Sequence, residues 1–171
     1  AGITVAGYTG ACEIDCDISN ITTSLTRDAD GLKVFGDTTI TDGNYRPQIC
    51  VVTGKVKNCT GRLLKIQTSE ATVRDMVLEQ TTTNFAQGVG VSLQWGGGLV
   101  ENCLFKLGTL MEEGYTPIFI DNRIDDQKTK AVIRNVRLQC EESIPRIVVV
   151  SESVDTLDSE YVIDGITAEI A

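Results

Sequence analysis

Apolar residues in this chain come in short runs, and one four-residue phrase keeps returning among them. The phrase is an apolar residue, any residue, Asn or Asp, and a second apolar residue. It reads Ile18-Ser19-Asn20-Ile21, then Val56-Lys57-Asn58-Cys59, Val73-Arg74-Asp75-Met76, Val100-Glu101-Asn102-Cys103 and Ile133-Arg134-Asn135-Val136. A weaker copy is Ile163-Asp164-Gly165-Ile166. A phrase that recurs along a chain marks a stacked repeat, each unit burying its apolar face on the next. Asn and Asp tolerate the left-handed αL conformation that other side chains resist. One such residue between two extended segments turns the chain sharply without a loop. The phrase therefore predicts strand, one-residue corner, strand. Stacking the corners would line up Asn20, Asn58, Asp75, Asn102 and Asn135 in a ladder, with side-chain amides bonding along the stack. The residue after each corner would face inward: Ile21, Cys59, Met76, Cys103, Val136 and Ile166.

A second element lies upstream of the phrases. Its copies are Ile49-Cys50-Val51-Val52, Leu63-Leu64-Lys65-Ile66, Val89-Gly90-Val91-Ser92-Leu93, Pro117-Ile118-Phe119-Ile120 and Ile147-Val148-Val149-Val150. From Val89 to Ile118 is 29 residues, and from Ile118 to Ile147 is again 29. Turn-forming clusters such as Thr53-Gly54, Trp95-Gly96-Gly97-Gly98 and Arg123-Ile124-Asp125-Asp126 separate run from phrase. Each coil thus predicts three short strands: the run, the half before the corner and the half after it. This pattern resembles the right-handed parallel β-helix, and the resemblance covers almost the whole chain. It implies an all-β, single-domain solenoid over residues 1–171, irregular in its first coils (1–48) and regular over 49–171. About six or seven coils fit, starting near Ile3, Leu32, Ile49, Leu63, Val89, Ile118 and Ile147. A β-sandwich or jelly roll is the alternative, because short strands at about 8–12-residue spacing suit it as well. No stretch longer than about 10 residues keeps a helical period, and Val, Ile and Thr dominate.

Composition agrees with one solenoid. The 171 residues are 42% hydrophobic and 23% charged, enough for a continuous core and too mixed for disorder. No apolar run approaches the length of a signal peptide or a membrane span. The start at Ala1-Gly2 suits removal of an initiator Met or a processed end. The net charge of −9 disfavours nucleic acid, which needs a basic footprint, and the 15 basic residues are scattered. The acidic bunches at Glu112-Glu113, Asp121 to Asp126, Glu141-Glu142 and Glu152 to Glu160 read as solvated turns, since none follows a calcium-loop pattern. The six cysteines are Cys12, Cys16, Cys50, Cys59, Cys103 and Cys140. Cys59 and Cys103 follow corners and should point indoors, two coils apart with Met76 between them. With no His and no paired spacing, zinc is not expected. Six reduced thiols in a protein made in a cytoplasm are the expectation, with a pairing of Cys12 or Cys16 the alternative.

The absence of His removes the Ser-His-Asp and Cys-His constellations. Carboxylates could still run glycoside hydrolysis, and the candidates are Asp121, Asp125 and Asp126, with Arg123 nearby. This trio faintly resembles the Asp trio of polygalacturonase-type β-helix hydrolases, yet the His and the Arg-Lys motif of that family are missing. A pectate-lyase-like site would draw on Asp75 with Arg74, or on Arg134 and Arg137 near Asn135. The structural reading of these corner residues is preferred. Trp95 before three glycines reads as a turn whose ring packs on a neighbouring coil or subunit; a sugar-stacking loop is the functional counterpart. No cofactor is expected.

A solenoid has open ends that need capping, and the last run, Tyr161 to Ile170, is apolar almost to its end. No polar helical cap is evident, so ends or flanks should be buried in partners, most simply a symmetric oligomer. By analogy of fold, the chain resembles the β-helical tail-spike, tail-fibre and capsid-decoration proteins of tailed bacteriophages. The resemblance implies a non-enzymatic homotrimer on a virion, made in the host cytoplasm. Its partners would be itself, other virion proteins and a host surface polysaccharide, with no nucleic acid and no membrane insertion. The alternative is a polysaccharide-degrading β-helix.

Overall fold

The structure, a computed structural model, describes residues 1–8, 10–22, 30–36, 48–68, 70–82, 88–108, 115–122, 130–152 and 159–170. Among the described residues there are thirteen strands and no helix. The strands are β1 (Ile3–Tyr8), β2 (Gly10–Ser19), β3 (Leu32–Gly36), β4 (Gln48–Lys57), β5 (Leu64–Thr68), β6 (Glu70–Gln80) and β7 (Val89–Trp95). There follow β8 (Gly97–Glu101), β9 (Leu104–Leu107), β10 (Thr116–Asn122), β11 (Lys130–Cys140), β12 (Val148–Glu152) and β13 (Glu160–Ile170). One sheet has the order β1-β3-β5-β7-β10-β12, and the other β2-β4-β6-β8-β11-β13, with β9 also between β6 and β11. Every pairing is parallel.

Strands alternating between two parallel sheets make an all-β parallel solenoid, and the antiparallel sandwich does not apply. The solenoid has about four turns enclosed by neighbours on both sides, while β1–β2 and β12–β13 lie at its ends. The six or seven coils expected are a little more than this. One reason is local. Ile49 does not open a coil of its own; it lies in β4, in the second sheet, opposite Ala11 and Glu70. An apolar run looks the same whichever sheet it joins.

Side chains stack in columns, one residue from each strand of a sheet, and the middle members of the columns make the core. Ile3, Leu32, Leu64, Val91, Ile118 and Val148 form one column in the first sheet. Ile18, Val56, Leu78, Phe105 and Leu138 form another in the second, and all five are buried. β-Branched and long apolar side chains fill such columns because each packs against its own kind one strand spacing away.

The corners explain how one strand serves two walls of the core. In β6 the buried positions are Ala71, Val73, Met76, Leu78 and Gln80. The step is two residues, except for a step of three across Asp75. β11 repeats this with Ala131 and Ile133, then Val136, Leu138 and Cys140, the longer step falling across Asn135. One αL residue absorbs the extra step and re-phases the alternation, so apolar residues on both sides still face inward.

Asn20, Asn58, Asp75, Asn102 and Asn135 all have positive φ, between 50° and 56°. They do not form one ladder. Asp75, Asn102 and Asn135 stand in register, and Gly165 continues their column with φ 65°. Asn20 and Asn58 occupy a different corner, at the far end of β2 and β4. There Asn20 N donates to Lys57 O and Asn58 N to Glu79 O. The register explains the split. Between Val52 and Gly54 of β4 the pairing with β6 shifts, so Thr53 spans the place where β6 holds both Arg74 and Asp75. Gly54, with φ 106°, makes the bend at that level; a Cβ there would lie 2.1 Å from Cys16 O. Cys59 and Cys103 therefore belong to different columns. Met76 stands beside Cys103 and, through Gly54, Cys16.

Candidate functional site

The carboxylate trio is the first place to look for chemistry. Asp121 sits in β10 opposite Gln94 and Ser151, and it is 3% exposed. Asp125 and Asp126, with Arg123, lie outside the described residues. A carboxylate so withdrawn from solvent is poorly placed to reach a polymer lying on the surface. The side chain of Trp95 also lies outside the described residues; its backbone ends β7 opposite Thr68. Among the described residues no group of three or more Cys, Asp or Glu is gathered to hold a metal ion.

Of the pectate-lyase-like candidates, Asp75, Asn135, Arg134 and Arg137 bond to neighbouring turns, and Arg74 stands in register with Glu101. Asn102 Nδ2 donates to Asp75 Oδ1 at 3.3 Å, and Asn135 Nδ2 donates to Asn102 Oδ1 at 2.6 Å. The Arg134 guanidinium donates twice to Glu101, at 2.8 and 2.7 Å. The Arg137 guanidinium grips both oxygens of Glu169, at 3.0 and 2.8 Å. That hydrogen bonding, with the Arg137 charge, lowers the Glu169 pKa from its usual value. At the other corner Asn58 Oδ1 accepts from Thr81 N at 2.8 Å, and Gln80 Oε1 accepts from Cys59 N at 3.2 Å. The amide and carboxylate groups thus close corners, and the two Arg–Glu pairs tie neighbouring strands together.

The arrangement that does stand out is a charge pattern on the outer face of the second sheet. Arg74, Glu101, Arg134 and Asp164 are register partners on β6, β8, β11 and β13. Their sign alternates at every step. A second column runs Lys57, Glu79, Lys106, Gln139, Glu169, and Lys57 pairs with Glu79. On a third, Lys130 pairs with Glu160 at 3.6 Å. Two open cavities of about 460 Å³ each lie along this face. One runs beside Glu70, Thr72, Leu99 and Lys130; the other beside Glu79, Lys106, Gln139 and Glu169. The ladder was open to detection in the chain, because Arg74, Glu101, Arg134 and Asp164 are the unrestricted second residue of the recurring phrase. Its signs were informative although its residue type was not.

None of the six cysteines is in a disulfide. Cys12 and Cys50 are direct register partners. Burial pushes the thiols of Cys16, Cys59 and Cys103 up to about 11.

No protein-family model matches the chain, and neither a curated protein nor a solved structure matches it.

Proposed function

We propose that the chain is a non-enzymatic structural protein of a bacteriophage virion, a tail-spike or tail-fibre segment or a capsid decoration protein, which stands on the particle as a homotrimer. The observation that carries this reading is exposed apolar surface on β12 and β13. The last strands leave Val150, Val162, Ile163 and Ile170 between 39% and 63% exposed, although the strands one turn inward are packed. Apolar surface of this kind marks an association site. The outer wall supports the same reading: charges of opposite sign stand beside one another along the stack, and Arg134 and Arg137 are held by Glu101 and Glu169. Host surface polysaccharide and other virion proteins are the further partners of this proposal.

Light scattering of the purified chain, coupled to incubation with bacterial surface polysaccharides, tests it. The expected outcome is a trimer, three times 18.5 kDa, that releases no reducing ends. A monomer that cleaves polysaccharide, and loses the activity on Asp121→Asn, would replace this reading with the hydrolase one.

A further inference from the structure

Two of the six cysteines face each other across neighbouring strands. Cys12 of β2 and Cys50 of β4 are direct partners in a parallel register that runs unbroken from Gly10↔Gln48 to Ser19↔Lys57. Both point into the solenoid. Along β2 the covered positions are Cys12, Ile14, Cys16 and Ile18, every second residue, and along β4 Cys50 and Val52 are buried in the same phase. Cys12 packs against the core to which Cys50 belongs.

Neighbouring strands stand about 4.7–4.9 Å apart, so register partners have their Cα atoms at about that separation. A disulfide spans roughly 4.4–6.8 Å between Cα atoms. Partners in a parallel pair also present their side chains on the same face, side by side. On the other side of Cys50 the column continues with Ala71, which sets only a methyl group beside it. The remaining cysteines have no such neighbour. Cys16 stands opposite Gly54, and Gly54 and Met76 separate it from Cys103. Cys140 stands between Leu107 and Ile170. Cys59 follows the corner at Asn58 and donates its N–H to Gln80. Among the described residues no other two cysteines are register partners.

We infer that Cys12 and Cys50 form a reversible disulfide, tying β2 to β4, when the chain meets a small-molecule disulfide. The thiolate of one cysteine attacks a sulfur of the small disulfide, and one small thiolate leaves. The thiolate of the other cysteine attacks the protein sulfur of that mixed disulfide and displaces the second. The cysteines give up two protons and two electrons; the small disulfide takes them and ends as two thiols. Parallel partners hold their Cβ atoms near the strand spacing too, slightly beyond the roughly 3.5–4.5 Å usual in a disulfide, so the bond is readily reduced again. The inference does not rest on the virion reading; it concerns one strand pair.

The test incubates the full, folded chain with oxidised glutathione, quenches it with acid and maps its peptides by mass spectrometry. The expected result is the loss of two thiols per chain and one internal cross-link, Cys12 to Cys50, which reduced glutathione reverses. Amide exchange in β2 and β4 should slow by about threefold or more in the oxidised chain, because the tie opposes opening of the pair. Cys12→Ser and Cys50→Ser should each abolish the cross-link and leave glutathione attached to the remaining partner, the trapped intermediate. Oxidation in urea should scatter the cross-links over other pairs. A wild-type chain that keeps all its thiols, carries glutathione without the internal bond, joins any other two cysteines or cross-links to a second chain would overturn the inference. So would the same pattern of pairs in urea, because the fold would then not select them.

Discussion

Each corner residue carries two costs that the sequence answers at once. A non-glycine residue in αL costs about 1–2 kcal/mol, and Asn and Asp lower that cost with short polar side chains. Asn102 also bonds to both neighbours, Asp75 and Asn135. Its replacement therefore separates backbone from side chain. Asn102→Ala should lower the unfolding free energy by about 2 kcal/mol in urea titration, from αL strain and lost hydrogen bonds together. Asn102→Gly should cost only about 1 kcal/mol, because glycine accepts αL and loses only the bonds and some chain entropy. Equal losses would place the whole cost in the side-chain bonds. The thiols give a second prediction at this scale. In the folded chain Cys16, Cys59 and Cys103 have pKa values of about 11, against about 8.5 for an exposed thiol. Since the folded values are raised, the unfolded chain loses these protons first. Their contribution to stability is whole below about pH 8.5 and is lost as pH rises through about 11. Denaturation midpoints should fall over that window, and fall less steeply in the triple Cys→Ala variant, which keeps the buried Cys140 and Tyr115, both also raised by burial. At pH 8, thiol reagents should label half-exposed Cys12 before these three.

At the scale of elements, stacking depends on how closely successive turns approach. β8 crosses β6 at Gly98, where φ is 150° and a Cβ would lie 2.1 Å from Ala71 O. Gly98→Ala must push the two strands apart, and a loss of about 3 kcal/mol is expected, in the upper range for overpacking. Hydrogen exchange should report it first in β6 and β8; a change confined to other strands would contradict this close approach. The same scale shows what the sequence could and could not disclose. The strand–corner–strand unit was legible because Asn or Asp between apolar residues has few other uses, and each of the five such residues adopts αL. Which corner each belongs to was not legible. Asn58 and Asp75 sit in similar phrases, but a register shift at Thr53 sends them to different columns. Ile49 reads as the start of a coil for a related reason: a run of β-branched residues states that it is buried, not in which sheet. Asp121 shows the limit for chemistry, since an Asp next to turn residues suggests exposure and the fold buries it.

At the scale of the molecule, a wall of paired charges stands beside exposed apolar residues on β12 and β13. Along the stack, exposed pairs such as Arg134–Glu101 and Arg137–Glu169 are screened by solvent and add little stability, so their alternation bears on register and partner choice more than on stability. The net charge of −9 resists unspecific self-association, and β13 carries the carboxylates Glu160, Asp164 and Glu169. The apolar side chains of Val150, Val162, Ile163 and Ile170 are the exposed surface on which the proposed association rests. The central claim is that this solenoid works by assembly rather than by catalysis. Light scattering across a range of protein concentrations tests it most directly. A mass of three times 18.5 kDa that persists on dilution is the predicted result. A stable 18.5 kDa monomer at every concentration would contradict it.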